Sequence, residues 1–408
     1  MRTLLSKEWR LLLFGFLMTF WSSPGQTFFI ALLGGDMRAD LALSHGEYGA
    51  IYSLATLLSA SALIFTGALI DKVALNKFSV IAIFGLVVGC WMMSITTGVI
   101  SLLIAVFLIR QMGQGLMYMI SATTMVRYFH DHRGKASALS GMGYAVSEAV
   151  MPSIVIALSL AVGWRMSWQI FAVALVVLMA ALIPWLLKGH DLRHQRYLDS
   201  MTETPQGMTT AKRQWRRREV IRDKRFYLFM PGLMSQPLMF TGFIFHQIHL
   251  VEQKSWSLTA WGALFSFYAI ISVLAKIVTG FWVDRYGAVK LVSLIAIPMG
   301  FGFLILYGFS SLYAAVGFLT LTGITVGFQT TVSGPFWSEL YGTRYLGSIK
   351  SLATATMVFS SALSPVVIGW FIDQGTTIET LSLGAAVYIF LTSGLALITY
   401  LRLVRNKD

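Results

Sequence analysis

Charge is scarce in this chain. Of its 408 residues only 12% are Asp, Glu, Lys or Arg and 56% are apolar, against roughly 25% and 45–50% in a soluble globular protein. The shortage excludes a soluble domain. Cysteine is almost absent: Cys90 stands alone, which excludes an internal disulfide and a cysteine metal cluster. The apolar runs also lack the polar–apolar alternation, in stretches of about 10 residues, that an outer-membrane barrel requires. No small-residue cleavage site follows the first apolar run, so Leu11 onward reads as a retained span rather than a signal peptide. The sequence holds neither a phosphate-binding glycine loop nor a nucleophile triad, and no cofactor or metal site is expected.

What is there instead is a dozen apolar runs, approximately 11–33, 48–70, 78–98, 101–125, 136–160, 166–187, 226–250, 259–283, 291–309, 311–335, 351–372 and 380–400. A helix of about 20 residues crosses the hydrocarbon core once. The expected fold class is therefore an all-α membrane protein with twelve transmembrane helices, surrounded by membrane lipids. An even number of spans puts both ends on one side. Loops on that side carry 26 Lys and Arg, whereas the opposite loops carry three: Arg38, Arg165 and Lys254. The positive-inside rule then places both termini in the cytoplasm, and a bacterial inner membrane is the expected location. The same asymmetry accounts for the net charge of +13, which is a topology signal and not a footprint for nucleic acid.

A constant offset of 213 residues joins positions in the two halves of the chain. Gly67 pairs with Gly280, Asp71 with Asp284, Lys72 with Arg285, Tyr128 with Tyr341, Ser147 with Ser360 and Pro152 with Pro365. One such match means nothing, but a single register at equivalent places in the helix order implies two homologous six-helix halves, 1–187 and 226–408. Between them, 188–225 holds 11 Lys/Arg and five Asp/Glu. It reads as a basic cytoplasmic linker, with a short amphipathic helix around Trp215 on lipid headgroups as the alternative.

The repeated segments Gly67-Ala-Leu-Ile-Asp71-Lys72 and Gly280-Phe-Trp-Val-Asp284-Arg285 resemble the Gly-x-x-x-Asp-Arg/Lys loop signature of the major facilitator superfamily. The resemblance spans essentially the whole chain. It implies two pseudo-symmetric six-helix bundles that alternate between outward- and inward-open states, usually as a monomer, with a central cavity lined by the first, fourth, seventh and tenth helices. It further implies that Gly67, Asp71, Lys72, Gly280, Asp284 and Arg285 form the gating loops. Asp71 would face the start of the eleventh helix near Gly347 or Ser348, and Asp284 the start of the fifth near Gly134, where a helix dipole favours a carboxylate. The plainer reading is that both aspartates only terminate helices. The first copy departs from the family pattern, with Ala74, Leu75 and Asn76 where glycine and basic residues are usual, whereas the second keeps Gly287.

Four ionisable side chains stay at membrane depth, where each is costly enough to suggest function: Arg110, Glu148, His246 and Lys276. Arg110, Gln114 and Tyr118 recur every four residues, followed by Ser121, so they share one helical face that should avoid lipid. Arg110-x-x-Gly113-x-Gly115 also resembles the superfamily's fourth-helix signature, connected with proton transfer; a structural arginine bonded to carbonyls is the alternative. Lys276 lies four residues before Gly280. In the monocarboxylate transporter and oxalate/formate antiporter families, which this region resembles, a basic residue there binds the substrate carboxylate. Those transporters carry an aspartate where Ser272 stands. Glu148 is the natural proton carrier, since desolvation and a nearby cation would pull its proton affinity in opposite directions; a static ion pair is the competing reading. Gln26 follows the interrupted-helix signal Pro24-Gly25, and Gln329 precedes Gly334-Pro335. With His246 and Gln247 they complete the candidate substrate contacts. His130 and His132 read as surface residues.

If all ionise, Arg110, Lys276 and Glu148 leave one excess positive charge, which an anionic substrate would balance. The expected activity is thus proton-coupled transport of a small organic anion, foremost a monocarboxylate, and not an enzymatic reaction. A proton-driven multidrug efflux antiporter is the runner-up, suggested by 20 Met and 28 Phe. A lipid enzyme or a transport-inactive receptor is the third reading.

Overall fold

The structure is a computed structural model that describes residues 2–71, 73–129, 133–190, 215–342 and 345–405. Among the described residues every regular element is helical. The chain separates into two compact units, Met1–Ala42 with Leu54–Thr209 and Leu43–Ser53 with Thr210–Asp408. Each behaves as one bundle, and together they supply the twelve spans.

The first unit opens with α1 (Arg2–Phe20), a 3₁₀ turn (Ser23–Gly25), α2 (Thr27–Leu32) and α3 (Gly34–Asp40). Pro24 lacks an N–H and cannot continue the ladder of α1, so the first span breaks in its middle. α4 (His45–Thr66) leads through a second 3₁₀ turn (Gly67–Asp71) to α5 (Leu75–Ser94). α6 (Val99–Ile109) passes into a π-helical segment (Arg110–Met117) and then α7 (Tyr118–Tyr128). α8 (Arg133–Leu186) is continuous by hydrogen bonding, yet 54 residues of straight helix would extend about 81 Å. Gly163, at φ 78° and ψ 166°, divides it into two spans, a conformation that glycine adopts without a steric penalty.

The second unit contains α9 (Arg217–Arg222), α10 (Lys224–Phe245), α11 (Gln247–Gln253), α12 (Leu258–Tyr286) and α13 (Ala288–Leu291). It continues with α14 (Ile297–Gly308), α15 (Leu312–Tyr341), α16 (Leu346–Asp373) and α17 (Ile378–Arg405). Ten helices among the described residues are long and apolar enough to cross a bilayer. The broken first span and the second half of α8 bring the number to the expected twelve. Phe226, Phe229, Phe336, Trp337 and Tyr341 form an aromatic core in this unit, while Phe65, Ile100 and Phe281 project outward, as lipid-facing positions do.

One segment departs from the boundaries drawn at 187 and 226: Leu43–Ser53 packs within the second unit. Glycines make this possible. A Cβ on Gly49 would stand 2.5 Å from the carbonyl oxygen of Pro365, and one on Gly369 would stand 2.5 Å from that of His45. Small residues let helix backbones approach this closely inside a membrane. The linker also differs from a purely solvated one. Residues 191–214 lie outside the described residues, but the Trp215 amide donates to the carbonyl of Tyr341 at 3.0 Å and its ring meets Tyr341 edge-on. Arg225 covers the Trp215 ring at 4.8 Å. Trp215 is therefore anchored on the second unit.

The two repeated loops are not built alike. Gly287 takes φ 79°, and the Glu339 carboxylate accepts from the Ala288 and Val289 amides at 2.9 and 3.0 Å. This carboxylate satisfies orphan donors at the start of α13. At the corresponding places, Ala74 has φ −54° and Val126 offers no acceptor. The glycine missing from the first loop is thus one that its backbone does not need.

Candidate functional site

In the first unit the break in α1 meets the π segment backbone to backbone. A Cβ on Gly113 would lie 2.9 Å from the Ser22 oxygen and 3.0 Å from Gly25 atoms, and one on Gly25 would collide with the Ile109 carbonyl. Neither position has room for a side chain. This contact brings the Gly25 carbonyl within 3.1 Å of Arg110 Nη1, which donates to it. Arg110 is 3% exposed, so the hydrogen bond holds a buried guanidinium against the interruption of the first helix. Gln111 beside it bridges α4, donating to Thr66 Oγ1 at 2.7 Å and accepting from Ser59 at 3.1 Å. The wider i→i+5 winding of a π segment often marks a functional site; here it presents Gln114 and Tyr118 as exposed side chains on the stretch that buries Arg110.

On α8, Glu148 is 7% exposed, and Tyr144, one turn earlier, directs its hydroxyl at Glu148 Oε1 from 3.5 Å. Tyr118 and Phe28 each meet the Tyr144 ring edge-on with centroids 6.4 Å apart. Arg110 lies within electrostatic range of the same hydroxyl. Four polar groups from the π segment, α7 and α8 thus converge, a cation, a carboxylate and the phenols of Tyr118 and Tyr144, with Phe28 of α2 alongside. Tyr144 went unnoticed in the sequence because a tyrosine in an apolar run is unexceptional. Its one legible signal is the four-residue spacing from Glu148. Ser121, grouped with the Arg110 stripe by spacing, instead donates to the Gly15 carbonyl at 2.8 Å and meets Ser140. It belongs to the seam joining α1, α7 and α8. Gln26 turns back on its own segment and donates to Ser22 Oγ at 3.4 Å.

In the second unit Lys276 is half-buried on α12. Its backbone presses on α15, where a Cβ on Gly327 would lie 2.9 Å from the Lys276 nitrogen. Gln329 on α15 is 4% exposed and donates to the Leu233 carbonyl at 3.0 Å, and its Oε1 has no hydrogen-bond partner among the described residues. Gln247 is fully buried and accepts from the Trp261 indole at 2.8 Å, while His246 Nε2 meets the Pro365 carbonyl at 2.9 Å. Both are committed to internal bonds at the end of α10. Asp284 and Arg285 are exposed at the end of α12, with Arg285 over the Tyr286 ring at 5.3 Å. Gly67 opens the 3₁₀ turn that ends at Asp71, and Arg127 donates to the Ile70 carbonyl at 3.5 Å. Lys72, His130 and His132 lie outside the described residues, as do the side chains of Asp71, Gly134, Gly347 and Ser348. Among the described residues no group of His, Cys, Asp and Glu is arranged to hold a metal ion.

Two helical bundles, a first helix broken beside a buried arginine, and repeated Gly-x-x-x-Asp segments are the features of a multi-pass membrane transporter. The profile of the Major Facilitator Superfamily matches residues 15–250 and again 237–408, and the chain belongs to that superfamily. No curated protein matches it in sequence. Solved structures share its fold. A bacterial homologue of the human lysosomal transporter Spinster, described as inward-facing and unoccupied, aligns with TM-score 0.69 and 13% identity over 97% of each chain. The nucleoside transporter NupG aligns with TM-score 0.70 and 17% identity over 96% of this chain and 99% of its own.

Proposed function

We propose that this transporter moves small organic anions, monocarboxylates foremost, together with protons across a bacterial inner membrane, as a monomer with both termini in the cytoplasm. Lys276 binds the substrate carboxylate, Arg110 sets the proton site, and Glu148 carries the proton. Gln114, Tyr118 and Gln329 orient the substrate, and the loops at Gly67–Lys72 and Gly280–Arg285 gate the cycle. Gln26, His246 and Gln247 contribute by holding their helices in place, given the internal bonds they make. The observation that carries this reading is Glu148. A carboxylate deep in a span, 7% exposed, shares its surroundings with a tyrosine hydroxyl and a fixed guanidinium. Such a group can exchange a proton in response to a change in neighbouring charge.

The aromatic trio Phe28, Tyr118 and Tyr144 around that carboxylate favours one other reading, an amphipathic cation exported in exchange for protons. Liposomes holding the purified protein and an internal pH dye separate the two. External carboxylates should acidify the lumen beyond the passive leak of the free acid, and Lys276→Ala should abolish that signal. A response to amphipathic cations or to nucleosides, with none to any carboxylate, would overturn the anion reading.

A further inference from the structure

We infer that His45, His246 and His249 form a proton-binding latch that fastens the first turns of α4 within the second unit and releases them on acidification. The cluster lies where α10 and α16 end. His45 and His246 face each other through their Nδ1 atoms at 3.4 Å, and the His45 ring meets that of His249 edge-on with centroids 4.6 Å apart. Asp373, at the end of α16, accepts from Ser44 Oγ, the His45 amide and the Gly46 amide at 2.7, 2.9 and 2.7 Å. The carboxylate thereby supplies the anionic cap that the start of α4 favours.

The hydrogen bonds assign the tautomers. The Pro365 carbonyl is an acceptor only, so His246 Nε2 carries the hydrogen and donates to it. In a neutral ring Nδ1 is then bare, and it accepts from His45 Nδ1–H. Both nitrogens of His246 are used. One added proton can be shared across the Nδ1 pair once His45 carries its own hydrogen on Nε2, whereas a second sets two cationic Nδ1–H donors head-on, so the latch and a doubly protonated pair exclude each other. Other titratable groups around the ring are His45 from α4, His249 from α11 and Asp373 from α16. Glu47 is turned to the Ser44 amide at 2.8 Å. Asp373 attracts an imidazolium, but it is already engaged by three donors and does not supply the missing acceptor at Nδ1. Histidines freed from the latch can each take up a proton, so acidification shifts the population from latched to released molecules.

The inference does not depend on the identity of the cargo, and its test needs none. Spin labels on Ala50→Cys and Gln374→Cys, in the full chain with the buried Cys90 replaced by Ala, report the separation of α4 from the end of α16. The short-distance population should dominate at pH 8 and give way to longer distances between pH 6.5 and 5. His246→Gln, which keeps a donor for Pro365 but cannot become cationic, should hold one distribution throughout. Asp373→Asn should weaken the short-distance population at every pH while preserving its slope. A wild-type distribution that is unchanged from pH 8 to 5 would overturn the latch, as would an undiminished slope in His246→Gln. Should His246→Gln fail to fold, His45→Gln removes the same ring pair from the other side and must flatten the slope.

Discussion

Replacing Gly113 with alanine tests the idea that the Arg110 site exists because two backbones touch. The added Cβ would lie 2.9 Å from the Ser22 oxygen and 3.0 Å from both the nitrogen and Cα of Gly25. All are backbone atoms, which cannot rotate away as a side chain would. Overpacking of this kind costs roughly 1–3 kcal/mol. Pushing the 3₁₀ turn outward also stretches the bond from Arg110 to the Gly25 carbonyl, and a buried hydrogen bond to a charged group contributes about 1.5–3 kcal/mol. The expected loss is about 3–5 kcal/mol, with an internal control two residues away. A Cβ on Gly115 would be 3.3 Å from a methyl carbon of Leu63, which can adjust by changing rotamer, so Gly115→Ala should cost under about 1 kcal/mol. Thermal unfolding of detergent-purified protein, followed by size exclusion and tryptophan fluorescence, should show a large drop for the first variant and almost none for the second. Equal stability of the two would refute the backbone-contact argument.

Gly287→Ala places a side chain at φ 79° beside the Glu339 carboxylate and should destabilise by about 1–2 kcal/mol, whereas Ala74→Gly in the other repeat should change melting far less. Lys254 is fully buried, donates to the Leu306 and Phe309 carbonyls at 2.7 and 3.2 Å and pairs with Glu379 at 2.7 Å. Lys254→Ala strands those acceptors at the end of α14, and a loss of roughly 1–3 kcal/mol is expected in the same melting assay; an unchanged melting temperature would remove these bonds from the stability account. Glu148→Gln should abolish transport driven by a pH gradient while sparing exchange of labelled for unlabelled substrate across the liposome membrane. Loss of both activities would mean that Glu148 binds substrate and does not simply carry a proton.

Much of this protein is determined by its sequence alone, because a bilayer imposes a one-dimensional constraint: length and apolarity identify a span wherever the helix lies. Twelve spans, two repeats and the Gly-x-x-x-Asp turns could therefore be read directly, as could Arg110 and Glu148, which are conspicuous as charges among apolar residues. Tertiary structure alone decided what those charges touch. Arg110 meets a carbonyl 85 residues away, exposed only because Pro24 breaks a helix that nothing local pairs with the fourth span. Tyr144 acquired meaning from Glu148 on its own helix and from Tyr118 and Phe28 brought by others. The grouping of Leu43–Ser53 with the second unit was equally hidden, since His45 and Asp373 are 328 positions apart and no periodicity relates them. Hydropathy reports whether a residue leaves water; hydrogen bonds and glycine contacts report which partner it finds, and that depends on the packing of helices distant in the chain.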